Sequence, residues 1–220
     1  MSDSFYLLIE FLLNTYEAGG MVMLPILLTG VVGFYFLYSS WLRIGSDYFK
    51  TGLGKEVEQM GVLLENGDID QAAALVKKSS GIVTRELSYA LIQATEAPNG
   101  FEDYMSIRLL KTSRYIEQGT HVISMMAAAA PLLGLLGTVT GMVATFDVIT
   151  LYGNQNPVLM ADGISEALIT TQSGLLVAFP LTLLKQRLNE RIDTIRDQIE
   201  LGSTMIYNYM QKMRGGSCEL

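Results

Sequence analysis

Three long apolar runs, separated by amphipathic stretches, set the pattern of hydrophobic and polar positions. The first, residues 20–42, reads GMVMLPILLTGVVGFYFLYSSWL and contains no charge. The second occupies 119–148 and is dense in small residues, with VISMMAAAAPLLGLLGTVTGMVATFDV from Val122. The third, 163–186, begins GISEALITTQSGLLVAFPLTLL. At about 1.5 Å of rise per residue, each run is long enough to cross a hydrocarbon core of roughly 30 Å as a helix. Tyr35, Tyr38 and Trp41 gather at one end of the first run, as amphipathic rings do at a headgroup boundary. A fourth run, Phe5–Leu13, is too short to span and contains Glu10, so it reads as an amphipathic helix lying in the interface within an outer segment 1–19. No basic stretch precedes it, so the first span is expected to stay in the mature protein.

Between the first two spans, 43–118 reads as helices punctuated by turns. Asn66-Gly67 closes LGKEVEQMGVLLE, Asp68 or Asp70 can cap IDQAAALVKK, Ser79-Ser80-Gly81 precedes IVTRELSYALIQ, and Pro98-Asn99-Gly100 marks the last turn. From Phe101 no breaker occurs before Gly119, and the periodicity predicts a helix running on into the second span. After the third span the tail, 187–220, keeps a helical apolar face near Leu188, Ile192, Ile195, Ile199 and Met205. The two long helices are expected to pack together beyond the membrane. The fold class expected is therefore an all-α membrane protein with three transmembrane helices, spans two and three extending as long helices into a helical cytoplasmic domain.

Charge fixes the orientation. Of the 15 Lys and Arg residues, 9 lie between Arg43 and Arg114 and 6 between Lys185 and Arg214, while 1–20 and 151–162 have none. By the positive-inside rule both basic blocks are cytoplasmic, the N-terminus and the 149–162 loop being outside. Only 17% of residues are charged, against about 25% in soluble domains, and a net charge of −7 argues against nucleic acid. Cys218 is the single cysteine and reads as a tail residue; His121, the single histidine, cannot build a metal site alone and sits at the mouth of span two, where a part in proton exit is the alternative. No nucleophile–base pair, metal cluster or nucleotide loop is present. Neither an enzyme nor a cofactor is expected, and a polar membrane interior without a fuel site points to a device run by an ion gradient.

That interior is built on few residues. Glu166 stands near the start of span three, where a carboxylate faces protein or water, or snorkels to the headgroups. Thr170, Thr171, Gln172 and Ser173 follow it. At 100° per residue Thr170 and Ser173 share its face and Thr171 is turned away. Span two adds Thr138, Thr140 and Thr145 beside Gly134, Gly137 and Gly141, and Gly137-x-x-x-Gly141 has the form that packs helices closely. Pro131 and Pro180 interrupt the hydrogen-bond ladders of spans two and three.

Ala130-Pro131-Leu132-Leu133-Gly134-Leu135-Leu136-Gly137-Thr138-Val139-Thr140-Gly141-Met142 closely resembles the second-span signature of the MotA/TolQ/ExbB proton-channel family. Gly163-Ile164-Ser165-Glu166-Ala167-Leu168-Ile169-Thr170-Thr171, with Gly174-Leu175 and Pro180, resembles its third-span signature. The three-span layout is similar to the TolQ/ExbB branch. The resemblance implies a homo-oligomer, a pentamer, in the bacterial inner membrane, enclosing a dimer of an ExbD/TolR-like single-span protein whose membrane aspartate carries protons. It also implies an envelope-spanning partner of the TonB or TolA kind. Within it, Thr138 and Thr171 correspond to pore-lining threonines and Glu166 to the third-span glutamate. Thr140, Thr170, Gln172 and Ser173 become accessory polar lining, and Pro131, Gly134, Gly137, Gly141 and Gly174 pack the helices. The polar residues at 140, 170, 172 and 173 depart from the family's usual pattern, which keeps sodium beside the proton as a transported ion. Motors for gliding or secretion, and a non-conducting membrane scaffold, are the competing functions. A secondary transporter fits poorly with three spans and no internal repeat.

Overall fold

The computed structural model describes residues 19–45, 53–78, 81–153 and 157–215. The interfacial helix expected at Phe5–Leu13, Glu10, Ser79-Ser80 and Cys218 lie outside the described residues. Seven helices are described: α1 (Met23–Ile44), α2 (Leu53–Glu65), α3 (Ile69–Lys78), α4 (Ile82–Glu96), α5 (Phe101–Glu117), α6 (Thr120–Tyr152) and α7 (Pro157–Gly215). Three stretches are long and apolar enough to cross a membrane: α1, the run Phe101–Tyr152, and Pro157–Met213. The described residues fall into two compact units, one within Met1–Tyr38 and Gly119–Gln186, the other within Ser39–Gln118 and Arg187–Leu220.

The first unit is a three-helix assembly whose core is thin and made of small residues. Ile26, Ile123, Ala130 and Leu181 are fully enclosed. On α1, Gly30 faces Val177 and Gly33 faces Leu181 and Met126, so glycine lets α1 lie close to both other helices. The outward faces keep Leu28, Val31, Leu132, Leu135, Leu168 and Phe179 exposed. Such a surface suits lipid or further protein, since a water-facing helix would place polar residues there. Helix α6 reaches Tyr152 and α7 starts at Pro157, so much of the stretch expected as an outer loop is helical.

In the second unit, Gly67 (φ 86°) and Gly100 (φ 81°) take the left-handed conformation the turns require. Asp68 stands just before α3, its carbonyl accepting the Ala72 N–H at 3.1 Å. The long run from Phe101 is broken by Gln118-Gly119, with Gly119 at φ 91°. The break leaves the last carbonyls of α5 without intrahelical donors. Arg43 supplies them: its Nη1 donates to Tyr115 O (3.1 Å) and Gln118 O (2.9 Å), with Ser40 Oγ also reaching Gln118 O (3.3 Å). A cation at a helix C-terminus also opposes the macrodipole.

The apolar face of α7 in this unit runs through Leu188, Ile192, Ile195 and Ile199, and continues through Ile206 and Met210. Met205, expected on it, is half-buried beside Gly61 instead. The stripe bridges the gap with Gly202, whose bare α-carbon lies against Leu87. Helix α5 packs on α7, the Phe101 and Tyr207 rings stacking 6.1 Å apart.

One buried charge has no counterpart in the sequence reading. Glu86 on α4 is 2% exposed and accepts a 2.7 Å hydrogen bond from Arg108 Nε on α5. The Arg108 guanidinium lies 3.8 Å above the Tyr89 ring. The hydrogen bond to Glu86 raises the Arg108 pKa above its ordinary value. A raised value on a base means its contribution is lost only as pH rises through that value, so ordinary pH changes leave it intact.

Candidate functional site

Helices α6 and α7 of the first unit meet along an antiparallel seam in which glycine replaces side chains at nearly every contact. A methyl added at Gly141 would come 2.7 Å from Gly163 O and 2.9 Å from Ala167 Cβ. One at Gly174 would come 2.6 Å from Ala130 O, and one at Gly134 3.0 Å from Thr170 O. Gly137 faces the side chain of Thr170, and Gly163 that of Thr145. The spacing of Ala130, Gly134, Gly137, Gly141 and Thr145 is one helical stripe, and all five are buried. Backbones this close gain dispersion contact and leave no room for any larger residue.

The hydroxyls expected to line a pathway divide between seam and outer surface. Thr171 Oγ1 donates across the seam to Gly134 O at 3.1 Å. Thr170 is fully buried and satisfied within α7, by Glu166 O (3.0 Å) and Ala167 O (2.9 Å). Thr145 is buried likewise, bonded to Gly141 O at 2.9 Å, and Ser173 is buried. Thr138 is half-exposed with its hydroxyl on Leu135 O (2.7 Å); Thr140 is exposed, on Leu136 O (3.2 Å) and Gly137 O (3.0 Å). Gln172 is exposed. Thr170 and Ser173 lie in the seam, and Thr171 is turned toward α6 of its own chain as well. The physical reason is the glycine stripe, which draws α6 so close that a wide arc of α7 touches it.

Glu166 is half-exposed at one end of the seam, beside an open pocket of about 460 Å³ that Gly20, Asp162 and Ser165 also line. Its carboxyl group lies directly against Gly20, which has φ 60° just ahead of α1. Asp162, one helical turn before Glu166 and exposed, is a second carboxylate at this pocket that no motif in the sequence singles out; only the turn-to-turn spacing could have suggested it. His121 is exposed near the start of α6. Pro131 and Pro180 both lie inside continuous helices. The arrangement offers hydroxyls, a carbonyl-bonded threonine and a carboxylate along two tightly joined apolar helices, which is chemistry for passing a small cation or a proton.

Comparison with known proteins agrees. Residues 76–201 match the model of the MotA/TolQ/ExbB proton channel family. A biopolymer transport protein ExbB homologue of Methanothermobacter thermautotrophicus is 29% identical over 195 residues, covering 86% of this chain and 67% of the relative. An ExbB-like biopolymer transport protein of Synechocystis sp. is 30% identical over 176 residues, covering 76% and 66%. The Tol-Pal system protein TolQ of Haemophilus influenzae is 30% identical over 91 residues, covering 41% and 40%. The chain thus spans about two thirds or less of the length of these relatives. The glycine-and-threonine seam between two membrane-length helices, the carboxylate at its end, and a match covering more than half the chain place this protein in the MotA/TolQ/ExbB proton channel family.

Proposed function

We propose that the chain is the channel-forming stator subunit of an inner-membrane motor, using the proton motive force to move an ExbD/TolR-like partner. Five copies would surround a dimer of that partner, with the N-terminus outside and the second helical unit in the cytoplasm. A TonB- or TolA-like protein would carry force onward to the envelope. The observation that carries this reading is the polar seam itself. A packing device alone requires the glycines, and does not require half-exposed Thr138 beside them or a carboxylate at the seam's end. Thr138, Thr171 and Glu166 are its ion-path residues, and Thr140 and Gln172 add polar surface. The transported ion is the proton, sodium being the alternative that the extra hydroxyls allow.

Thr138→Ala and Glu166→Gln test it. Each is expected to abolish energy-dependent function while the protein accumulates in the membrane at close to the normal level, measured by function and immunoblot in the same cells. Both hydroxyl and carboxylate lie off the glycine contacts between α6 and α7, so stability should move by only about 0.5 kcal/mol. Full function in both variants would favour the non-conducting scaffold. A requirement for sodium in place of a pH gradient would change the ion and keep the motor.

A further inference from the structure

The Glu166 carboxyl group rests against a backbone with no side chain. A Cβ built on Gly20 would overlap Glu166 Oε1, and would stand 2.6 Å from Cδ and 3.4 Å from Cγ. Whatever occupied position 20 would therefore sit where the end of the Glu166 side chain now is. Among the described residues no hydrogen bond or ion pair holds that carboxylate, so the space beside it sets where it points. Gly20 and Glu166 line the same pocket with Asp162 and Ser165. Gly20 also has a positive φ of 60°, a conformation other residues adopt at a cost.

We infer that Gly20 is a positioning residue for Glu166: the bare α-carbon at the entry to α1 seats the carboxyl group over the pocket at the end of the α6–α7 seam. This rests on the ion-path reading of Glu166. A carboxylate that exchanges ions must be held in reach of its partners within a fraction of an ångström, and Gly20 provides the room without competing for hydrogen bonds.

Two accounts of a Gly20 substitution must be separated, steric displacement of Glu166 and backbone strain. Gly153 supplies the control, because it has φ 64° and nothing within 4 Å of an added Cβ. Gly153→Ala also puts an L residue at positive φ, there with ψ −164°, and displaces nothing. Shortening the acid supplies the complement, because Glu166→Asp withdraws the carboxyl group by one methylene and makes space for an alanine methyl.

The experiment compares Gly20→Ala, Gly153→Ala, Glu166→Asp and the Gly20→Ala/Glu166→Asp double variant in the full chain, in its own cells. Energised function and membrane accumulation are measured, with labelling of Glu166 by a hydrophobic carbodiimide in membrane vesicles, quantified by mass spectrometry. Gly20→Ala is expected to lower function at least about tenfold, against the roughly hundredfold that a full ångström of misplacement can cost a working group, and to change the Glu166 labelling rate. Gly153→Ala should do neither. Glu166→Asp should impair the chain with Gly20 intact and improve the Gly20→Ala chain, a reversal that marks direct contact. Equal losses for Gly20→Ala and Gly153→Ala would overturn the inference, as would unchanged function and labelling in Gly20→Ala. Failure of Gly20→Ala to accumulate, unrelieved by Glu166→Asp, would also overturn it. If Glu166→Gln retains full function, the ion-path reading falls, and the labelling rates alone still decide whether Gly20 places the carboxylate.

Discussion

Gly174→Ala is expected to be among the most damaging single-methyl additions in the chain. The added Cβ would lie 2.6 Å from Ala130 O and 3.2 Å from Gly134 Cα. Both obstacles are backbone, so no rotamer change relieves them, and α6 and α7 must move apart. Overpacking of this kind costs about 1–3 kcal/mol. The separation would also stretch the Thr171–Gly134 hydrogen bond at 3.1 Å, joining structural and functional loss. Thermal unfolding of the detergent-solubilised protein measures the first, and energised function the second. Gly30→Ala is the comparison. There the added carbon meets only the Val177 side chain, at 3.3 Å, which can turn aside. Its cost should stay below about 1 kcal/mol. Equal destabilisation by the two would show that the seam has slack, and that backbone approach does not limit it.

Glu86→Leu should destabilise the second unit by about 3 kcal/mol, the lower end of the range for breaking a buried pair. The lower end applies because the Arg108 side chain keeps 27% of its exposure while that of Glu86 keeps 2%. Glu86→Leu leaves the guanidinium without its 2.7 Å acceptor and beside the Tyr89 and Tyr104 side chains. Adding Arg108→Met should recover most of the loss, because removing both charges removes the desolvation penalty with them. A double-mutant cycle in thermal unfolding reads this directly. Additive losses would mean that the two side chains do not work as a pair. Since Arg108 is held above its ordinary pKa, the wild-type contribution should be flat between pH 6 and 9 on the same assay.

The sequence by itself determined the three spans, the helical class, the turn positions at Asn66-Gly67 and Pro98-Asn99-Gly100, and most of the apolar stripe on α7. Each rests on a local rule: an uncharged run of membrane length, a residue that tolerates positive φ, or a 3.6-residue period. It also marked Gly134, Gly137, Gly141 and Gly174 as packing positions, because a small residue every few places has few other uses in a membrane helix.

Tertiary structure alone decided which polar residues face which neighbour. The helical wheel could place Thr170 beside Glu166, and it could not say that α6 would bury Thr170 and also receive a hydrogen bond from Thr171. The wheel gives an angle about one axis, whereas burial depends on the distance to a second axis, and here glycines shorten that distance. The same holds for Met205 and Ile206: a stripe carried by Gly202 moves the contact by one residue, since a missing side chain is filled by Leu87 from another helix. Glu86 and Arg108 are 22 residues apart, and Gly20 and Glu166 meet from opposite parts of the chain. Pairings of that kind carry no local pattern, because they arise only when separate helices pack.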